Sequence, residues 1–415
     1  MSDSVVIWII SVLSVAGVIL RPFRVTEAVW AVAGAVLLVL LQLISPADAW
    51  AGIRKGTDVY LFLFGMMLLA EVAREERLFD WLAAKAVLLA RGSAKRLFAL
   101  TYLVGIVVTA FLSNDATAVV LTPAVAAAVR AARVSKPLPY LLICAFIANA
   151  ASFVLPISNP ANLVIYGASL PPLLHWLPRY LLASVLSIGL TYLFLYRTQR
   201  LELETPLEES IALPELSATG RSAAWGIVLT AVVLLACSAW NIPLGLPTAI
   251  TGVLTSGFVL VKARKTPLTI IKGISWAVLP LVAGLFILVE ALNKTGLIRV
   301  LAQLLQHATA RSVAGATWGS GIGVALLSNL MNNLPSGLIA ADAVRGAHVP
   351  EIVRSAVLIG VDLGPNLSVT GSLATILWLV ALRREGQTVS ALAFLKLGVV
   401  IMLPALLAAI AALWI

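Results

Sequence analysis

The stretch TYLVGIVVTAFLSNDATAVVLTPAV, residues 101–125, is apolar on both sides of a short polar break at Ser113-Asn114-Asp115. A constant shift of 219 along the chain lands Asn114 on Asn333, within the second break of this kind, Leu330-Met331-Asn332-Asn333-Leu334-Pro335. The same shift carries Glu71 of GMMLLAE onto Glu290 of GLFILVE. A second matched pair follows: Ser158-Asn159-Pro160-Ala161-Asn162 falls opposite Gly371-Ser372-Leu373-Ala374-Thr375 at a shift of 213, a difference that one short insertion or deletion explains. Amides, hydroxyls and a carboxylate at the middle of lipid-depth segments are costly unless they line a protein-enclosed site. Their recurrence in matching places of the two halves points to a secondary transporter with a central site between repeats.

Composition places the chain in a bilayer. Apolar residues make up 61% of it and charged ones 12%, and the mean hydropathy is +1.02. Continuous apolar runs without period-two alternation exclude a β-barrel. About ten segments reach the ~20 residues a spanning helix needs, and two longer ones, about 94–132 and 312–346, carry the polar breaks in their middles. The fold class expected is therefore an all-α integral membrane protein with about 10 transmembrane helices plus two re-entrant helical hairpins. The first span, 4–20, follows the acidic Asp3 without a basic segment, so it is expected to be a retained helix and not a signal peptide. In this layout 20 of the 29 Lys and Arg residues fall on one side, among them Arg21, Arg74, Arg130, Lys265 and Arg384. By the positive-inside rule that side is cytoplasmic and both termini lie outside. The basic residues are scattered over several loops, so the net charge of +10 implies no nucleic-acid surface.

The chain divides at an acidic linker, 201–221, which carries LELETPLEESIALPELSATG. Residues 1–200 form one expected repeat, with a hairpin at about 94–132 and a broken helix at about 138–170. Residues 222–415 form the other, with a hairpin at about 312–346 and a broken helix at about 352–384. Five crossings per repeat is an odd number, so the second repeat is expected to insert upside down relative to the first. Amphipathic segments at about 76–91 and 295–309 suit the membrane interface. Pro123, Pro156, Pro160, Pro335 and Pro365 mark the breaks, where a proline frees a backbone carbonyl.

The groups gathered at the breaks are short and polar. The first tip offers Ser113, Asn114, Asp115 and Thr117, the second Asn332 and Asn333. The broken helices add Ser158, Asn159 and Asn162 in the first half, beside Asn149 and Ser152, and Asn366, Ser368, Thr370, Ser372 and Thr375 in the second. Asp115 and Asp362 are the two deep carboxylates. A carboxylate is expensive as an anion at bilayer depth, so both are expected to exchange protons; Asn and Asp are also favoured helix caps. No Lys or Arg falls in either break. Such a site is poorly suited to multiply charged anions and suits a neutral polyhydroxyl solute or a cation. Glu71 and Glu290 sit near the ends of their spans and read as interface anchors. The histidines show no metal-ligand spacing, Cys144 and Cys237 suggest neither a disulfide nor a metal site, and no nucleotide-binding loop is present. No cofactor and no enzyme activity are expected.

On the segments FLSNDATAVVLTPAV (111–125), LPISNPANLVIYG (155–167), LLSNLMNNLPSGLIA (326–340) and GVDLGPNLSVTGSLATILWL (360–379), the chain resembles the bacterial arsenite efflux pumps (the ArsB type) of the ion transporter superfamily. The resemblance runs over essentially the whole chain. It implies export of arsenite and antimonite across a bacterial-type inner membrane, coupled to inward proton flow, by a scaffold and a moving domain built of the hairpins and broken helices. Arsenous acid is mostly a neutral trihydroxide near neutral pH, which fits a cage of amides and hydroxyls. Two alternatives stay open. The chain could be the membrane subunit of a pump driven by a separate cytoplasmic ATPase, or a related transporter of silicic acid, dicarboxylates or sodium.

Overall fold

The computed structural model describes residues 2–204 and 215–415. Residues 205–214 of the expected acidic linker lie outside the described residues. Among the described residues all regular structure is helical. The first half runs α1 (Asp3–Leu20), α2 (Glu27–Leu40), α3 (Pro46–Lys55), α4 (Thr57–Glu75), α5 (Leu78–Ala90), α6 (Ala94–Phe111), α7 (Asn114–Ala116), α8 (Thr122–Ala131), α9 (Leu138–Ala150), α10 (Pro160–Tyr166) and α11 (Leu173–Gln199). The second runs α12 (Ala218–Ala239), α13 (Gly245–Ala263), α14 (Pro267–Gly273), α15 (Val278–Lys294), α16 (Leu297–Arg311), α17 (Val313–Met331), α18 (Asn333–Ala347), α19 (Glu351–Leu363), α20 (Leu373–Arg384) and α21 (Ala391–Ala411).

Six of the described helices are long and apolar enough to cross a bilayer, and eight when each bent pair is taken as one span. The bent pairs occupy the same place in each half: α3 meets α4 at 51° and α14 meets α15 at 43°. The sequence count of about ten was higher for a physical reason. Helix α2 has only 14 residues and each broken span consists of two half-helices too short to cross singly, while α6, expected as one arm of a hairpin, is itself long and apolar enough to cross. The chain is a multi-span all-helical membrane protein.

Small residues set the closest helix contacts. A Cβ on Gly65 of α4 would collide with the Thr248 carbonyl of α13, and one on Gly360 of α19 with the Gly321 carbonyl of α17. Between helices in lipid, packing and not hydrophobic burial drives association, so such glycines let backbones approach. Outward-facing Leu13, Leu40 and Val261 are left exposed, as a lipid-facing surface requires. The two amphipathic segments differ: α5 buries Phe79, Ala83, Val87 and Ala90, whereas α16 buries only Ile298 and Ala302.

Candidate functional site

Two chain reversals build the site. Residues eight apart along a helix lie about 12 Å from each other, yet the Thr109 and Thr117 hydroxyls are 2.8 Å apart, so the chain folds back between them. Ser328 and Ser336, which the shift relating Asn114 to Asn333 places opposite them, repeat the bond at 2.8 Å. Each turn passes through one residue of positive φ, Ser113 at 142° and Asn332 at 74°, and the same shift relates these two. Each of these residues caps the helix that follows. The Ser113 hydroxyl accepts from the Ala116 N–H at 3.3 Å and the Asn332 side chain from the Leu334 N–H at 3.3 Å. Capping at the first tip thus falls to Ser113 and not to Asp115, whose carboxylate faces a cavity. After the first tip the helix widens to a π-helical stretch over Thr117–Leu121. The ring of Pro123 there displaces the carbonyl four residues back.

The broken helices are equally regular. Helices α9 and α19 have the same length and are related by the shift that matches the two breaks, so Asn149 and Asp362 each stand one residue before the end of a first half-helix. The second half-helices begin at matching caps: Asn159 accepts from the Ala161 N–H at 3.0 Å, and Ser372 accepts from the Thr375 N–H at 3.1 Å. The two breaks then bond to each other. Asn159 donates to the Asp362 carboxylate at 2.8 Å, while Asn149 donates to Asn366 at 3.0 Å and to Thr375 at 3.2 Å. Carbonyls in and just before the breaks accept from side-chain donors, as suits lipid-depth backbone. Asn162 donates to the Ser152 carbonyl at 2.9 Å and Asn366 to that of Phe146 at 2.9 Å. Each break is also tied to its hairpin at one equivalent position. Ser158 bonds the Ala110 carbonyl at 3.0 Å and Thr370 the Asn329 carbonyl at 3.1 Å. Ser368 adds a 2.7 Å bond to the Asn329 side chain.

A cavity of about 380 Å³ opens between α4, α14 and α15 on one wall and α7, α8 and α20 on the other. It reaches Ser113 and Asp115 at its inner end, and Glu71, Arg74 and Arg384 stand along it. Beyond it a void of about 10 Å³, roughly the room one water needs, is lined by Asn114, Asp115, Asn159 and Asn333 with Leu63, Pro160 and Leu334. A separate cavity of about 380 Å³, lined by Asp58, His175, Arg179 and Glu351, does not include the tips.

The expected site residues therefore fall into two groups. Ser113, Asn114, Asp115, Asn159 and Asn333 face a cavity or the void. Thr117, Ser158, Asn162, Asn332, Asp362, Asn366, Ser368, Thr370, Ser372 and Thr375 are bonded into the frame that holds them. Three features escaped the sequence reading: Asn329, the hydroxyl pairs behind the tips, and the guanidiniums of Arg74 and Arg384 along the cavity. The hydroxyl pairs had a signal, because Thr109/Thr117 and Ser328/Ser336 obey the shift that relates the tips; Asn329 had none, since its counterpart is Ala110.

Comparison with known proteins agrees with this architecture. The chain is 28% identical, over 97% of its own length and 97% of the relative's, to the arsenical pump membrane protein of Escherichia coli strain K12. It is 26% identical, over 92% of each, to a putative arsenical pump membrane protein of Bacillus subtilis. Among solved structures, the Alcanivorax borkumensis YdaH transporter shares the fold at a TM-score of 0.59, with 16% identity over 89% of each chain. Neisseria gonorrhoeae MtrF, described as one of a class of antimetabolite efflux pumps, does so at 0.55, with 14% identity over 100% of this chain and 94% of that one. A model of the citrate transporter family (CitMHS) matches residues 5–360, and the chain belongs to that family.

Proposed function

We propose that this chain is a secondary active transporter that exports arsenite, and antimonite with it, in exchange for protons by alternating access. The observation that carries the reading is the cavity of about 380 Å³ that ends on Ser113 and Asp115, in a chain similar along its length to arsenical pump membrane proteins. Residues 1–200 and 222–415 act as two inverted-topology repeats joined by the linker 201–221. In that layout ten transmembrane helices accompany two re-entrant hairpins, α6–α8 and α17–α18. The constant shifts relating their tips, caps and hydroxyl bonds support the repeat. The side rich in Lys and Arg is cytoplasmic, which makes the Arg74/Arg384 end of the cavity the inward mouth and puts both termini outside a bacterial-type inner membrane.

Arsenous acid enters from that mouth and binds between the tips. Ser113, Asn114, Asp115, Asn159 and Asn333 meet its hydroxyls, and Thr117, Ser158, Asn162, Asn332, Asn366, Ser368, Thr370, Ser372 and Thr375 hold the contact groups in place. With so few thiols in reach, binding is through oxygen and weak enough to release. A proton taken up outside on Asp115 or Asp362 removes the cost of carrying a carboxylate through the membrane and favours the return step.

The cavity's Arg74 and Arg384, together with the family's name, favour a second reading, transport of a di- or tricarboxylate. One experiment separates the two: uptake of arsenite, silicic acid, succinate and citrate into everted vesicles, with an imposed pH gradient and with or without sodium. Arsenite accumulation that collapses with a protonophore is the expected result. Carboxylate accumulation, or dependence on sodium, overturns it. Arsenite movement that needs ATP and survives the protonophore assigns the chain to a pump with a separate ATPase.

A further inference from the structure

Asp362 has no exposed surface and lines neither the cavity nor the void at the tips. One of its oxygens accepts from the Asn159 side-chain amide at 2.8 Å, the Ser152 hydroxyl lies beside the carboxylate, and the other oxygen has no partner in the structure. Asn159 does line the void, together with Asn114, Asp115 and Asn333. Its side chain thus both bonds the buried carboxylate and lines the place between the tips. Its own oxygen is engaged as the cap of α10, accepting from the Ala161 N–H at 3.0 Å.

From this juxtaposition we infer that Asn159 is the substrate-contacting residue that couples the charge on Asp362 to the site. The inference rests on the proton-coupled reading above. When Asp362 is ionised, the amide of Asn159 makes a charge-assisted hydrogen bond, about twice as strong as one to a neutral acceptor. Together with the cap bond from the Ala161 N–H to its oxygen, that bond holds the amide in a single orientation, so the binding geometry is preorganised. When Asp362 is protonated, that bond weakens, the amide is held through its capping oxygen alone and substrate binds less well. Proton and substrate then exclude each other without touching, which is the relation an exchanger requires. Linkage makes the effect reciprocal: binding of substrate expels the proton.

Other ionisable groups on the elements packed around α19 do not take over this role. Helix α17 carries none. Asp342 and Arg345 of α18 pair with each other, and Lys396 of α21 is exposed. Tyr140 of α9 donates to the Ala94 carbonyl, Cys144 of α9 makes no bond to Asp362, and Tyr166 of α10 bonds Tyr180. Asp115 faces the void directly, so it contributes its own pH dependence, and the test must separate the two.

The second repeat supplies the variant. Ser372 stands where Asn159 does and caps α20 with its hydroxyl, so Asn159→Ser keeps a helix cap but cannot reach Asp362. Asn159→Thr serves as a second cap-retaining variant should the first unfold. Arsenite binding to the purified full chain is measured at one mildly acidic and one mildly alkaline pH, together with proton release in weakly buffered solution. Wild type is expected to bind about tenfold more weakly at the acidic pH, an ordinary size for coupling between two sites. N159S and D362N should lower that ratio equally, and the double variant should lower it no further. If D362N lowers the ratio and N159S keeps the wild-type value with normal thermal stability, the coupling role of Asn159 is wrong while the proton reading stands. If D362N itself keeps the wild-type ratio and proton release, Asp362 is not a coupling carboxylate and the inference falls, while proton coupling through Asp115 stands; a wild type with no pH-dependent binding and no proton release overturns both.

Discussion

The hydroxyls of Thr109 and Thr117, both fully buried, lie 2.8 Å apart across the first hairpin tip. The Ser328–Ser336 pair repeats the bond in the second hairpin. A hydrogen bond of this kind between helices in lipid contributes about 0.5–1.5 kcal/mol. Thr117→Ala and Ser336→Ala are each predicted to lower stability by about that amount. The Thr109→Ala/Thr117→Ala double variant should cost little more than the worse single change. Thermal unfolding in detergent checks this, and strictly additive costs would mean the pair is not coupled.

At Asn332 the backbone itself is demanding. A φ of 74° is strained for any residue with a Cβ, and the side chain also caps α18. Asn332→Ala loses the cap and keeps the strain, whereas Asn332→Gly loses the cap but relieves the strain. Glycine is therefore predicted to be the milder change by about 1 kcal/mol. Finding alanine equal to or better than glycine in a melting comparison would contradict the role given to φ.

Asp115 is the tip carboxylate that faces the cavity. If it accepts a hydroxyl of the substrate, Asp115→Asn removes a charge-assisted bond worth about 1.5–3 kcal/mol. Arsenite affinity should then fall about tenfold or more, and uptake into everted vesicles should lose its response to the pH gradient. Wild-type uptake by D115N would exclude the residue from both tasks.

Outside the membrane-spanning helices, Glu76 joins three elements. Its carboxylate accepts from Lys265, just past α13, at 2.9 Å and from Thr219 of α12. Burial pushes the Glu76 carboxyl up, but its bonds to Lys265, Thr219 and Ser217 outweigh that and hold it below the usual glutamate range. A carboxyl depressed in the folded state stabilises above its unfolded pKa, and that stabilisation is lost as pH falls through the lower, folded value. Melting temperature should therefore drop in the acid range below the ordinary glutamate pKa in wild type. Glu76→Gln should be less stable by about 1 kcal/mol near neutral pH and show a smaller acid decline. Parallel pH curves for the two proteins would show that the pair contributes nothing.

Much of the frame could be read from the residues because its causes are local. Polar triplets within apolar runs, prolines that free carbonyls and glycines near the breaks mark where helices stop, and the two constant shifts recur in the positive-φ residues, the caps and the half-helix lengths. Glu71 and Glu290, expected as interface anchors, pair with Arg74 and Lys55. The span count was less legible: periodicity and hydropathy report how apolar a segment is, not whether its helix continues through a break such as 151–159.

Taken by itself, the sequence determined that the chain is a helical membrane protein with polar breaks at places related by constant shifts, because propensity, proline geometry and hydropathy act within a few residues. Only the tertiary structure decided which breakpoint groups face the cavity and which hold the frame. Asn159 meets Asp362, and Asn149 meets Asn366, each from the opposite half of the chain. Spacing along a helix specifies the face a side chain occupies, but its hydrogen-bond partner depends on which distant segment packs against that face, and so on the whole fold at once.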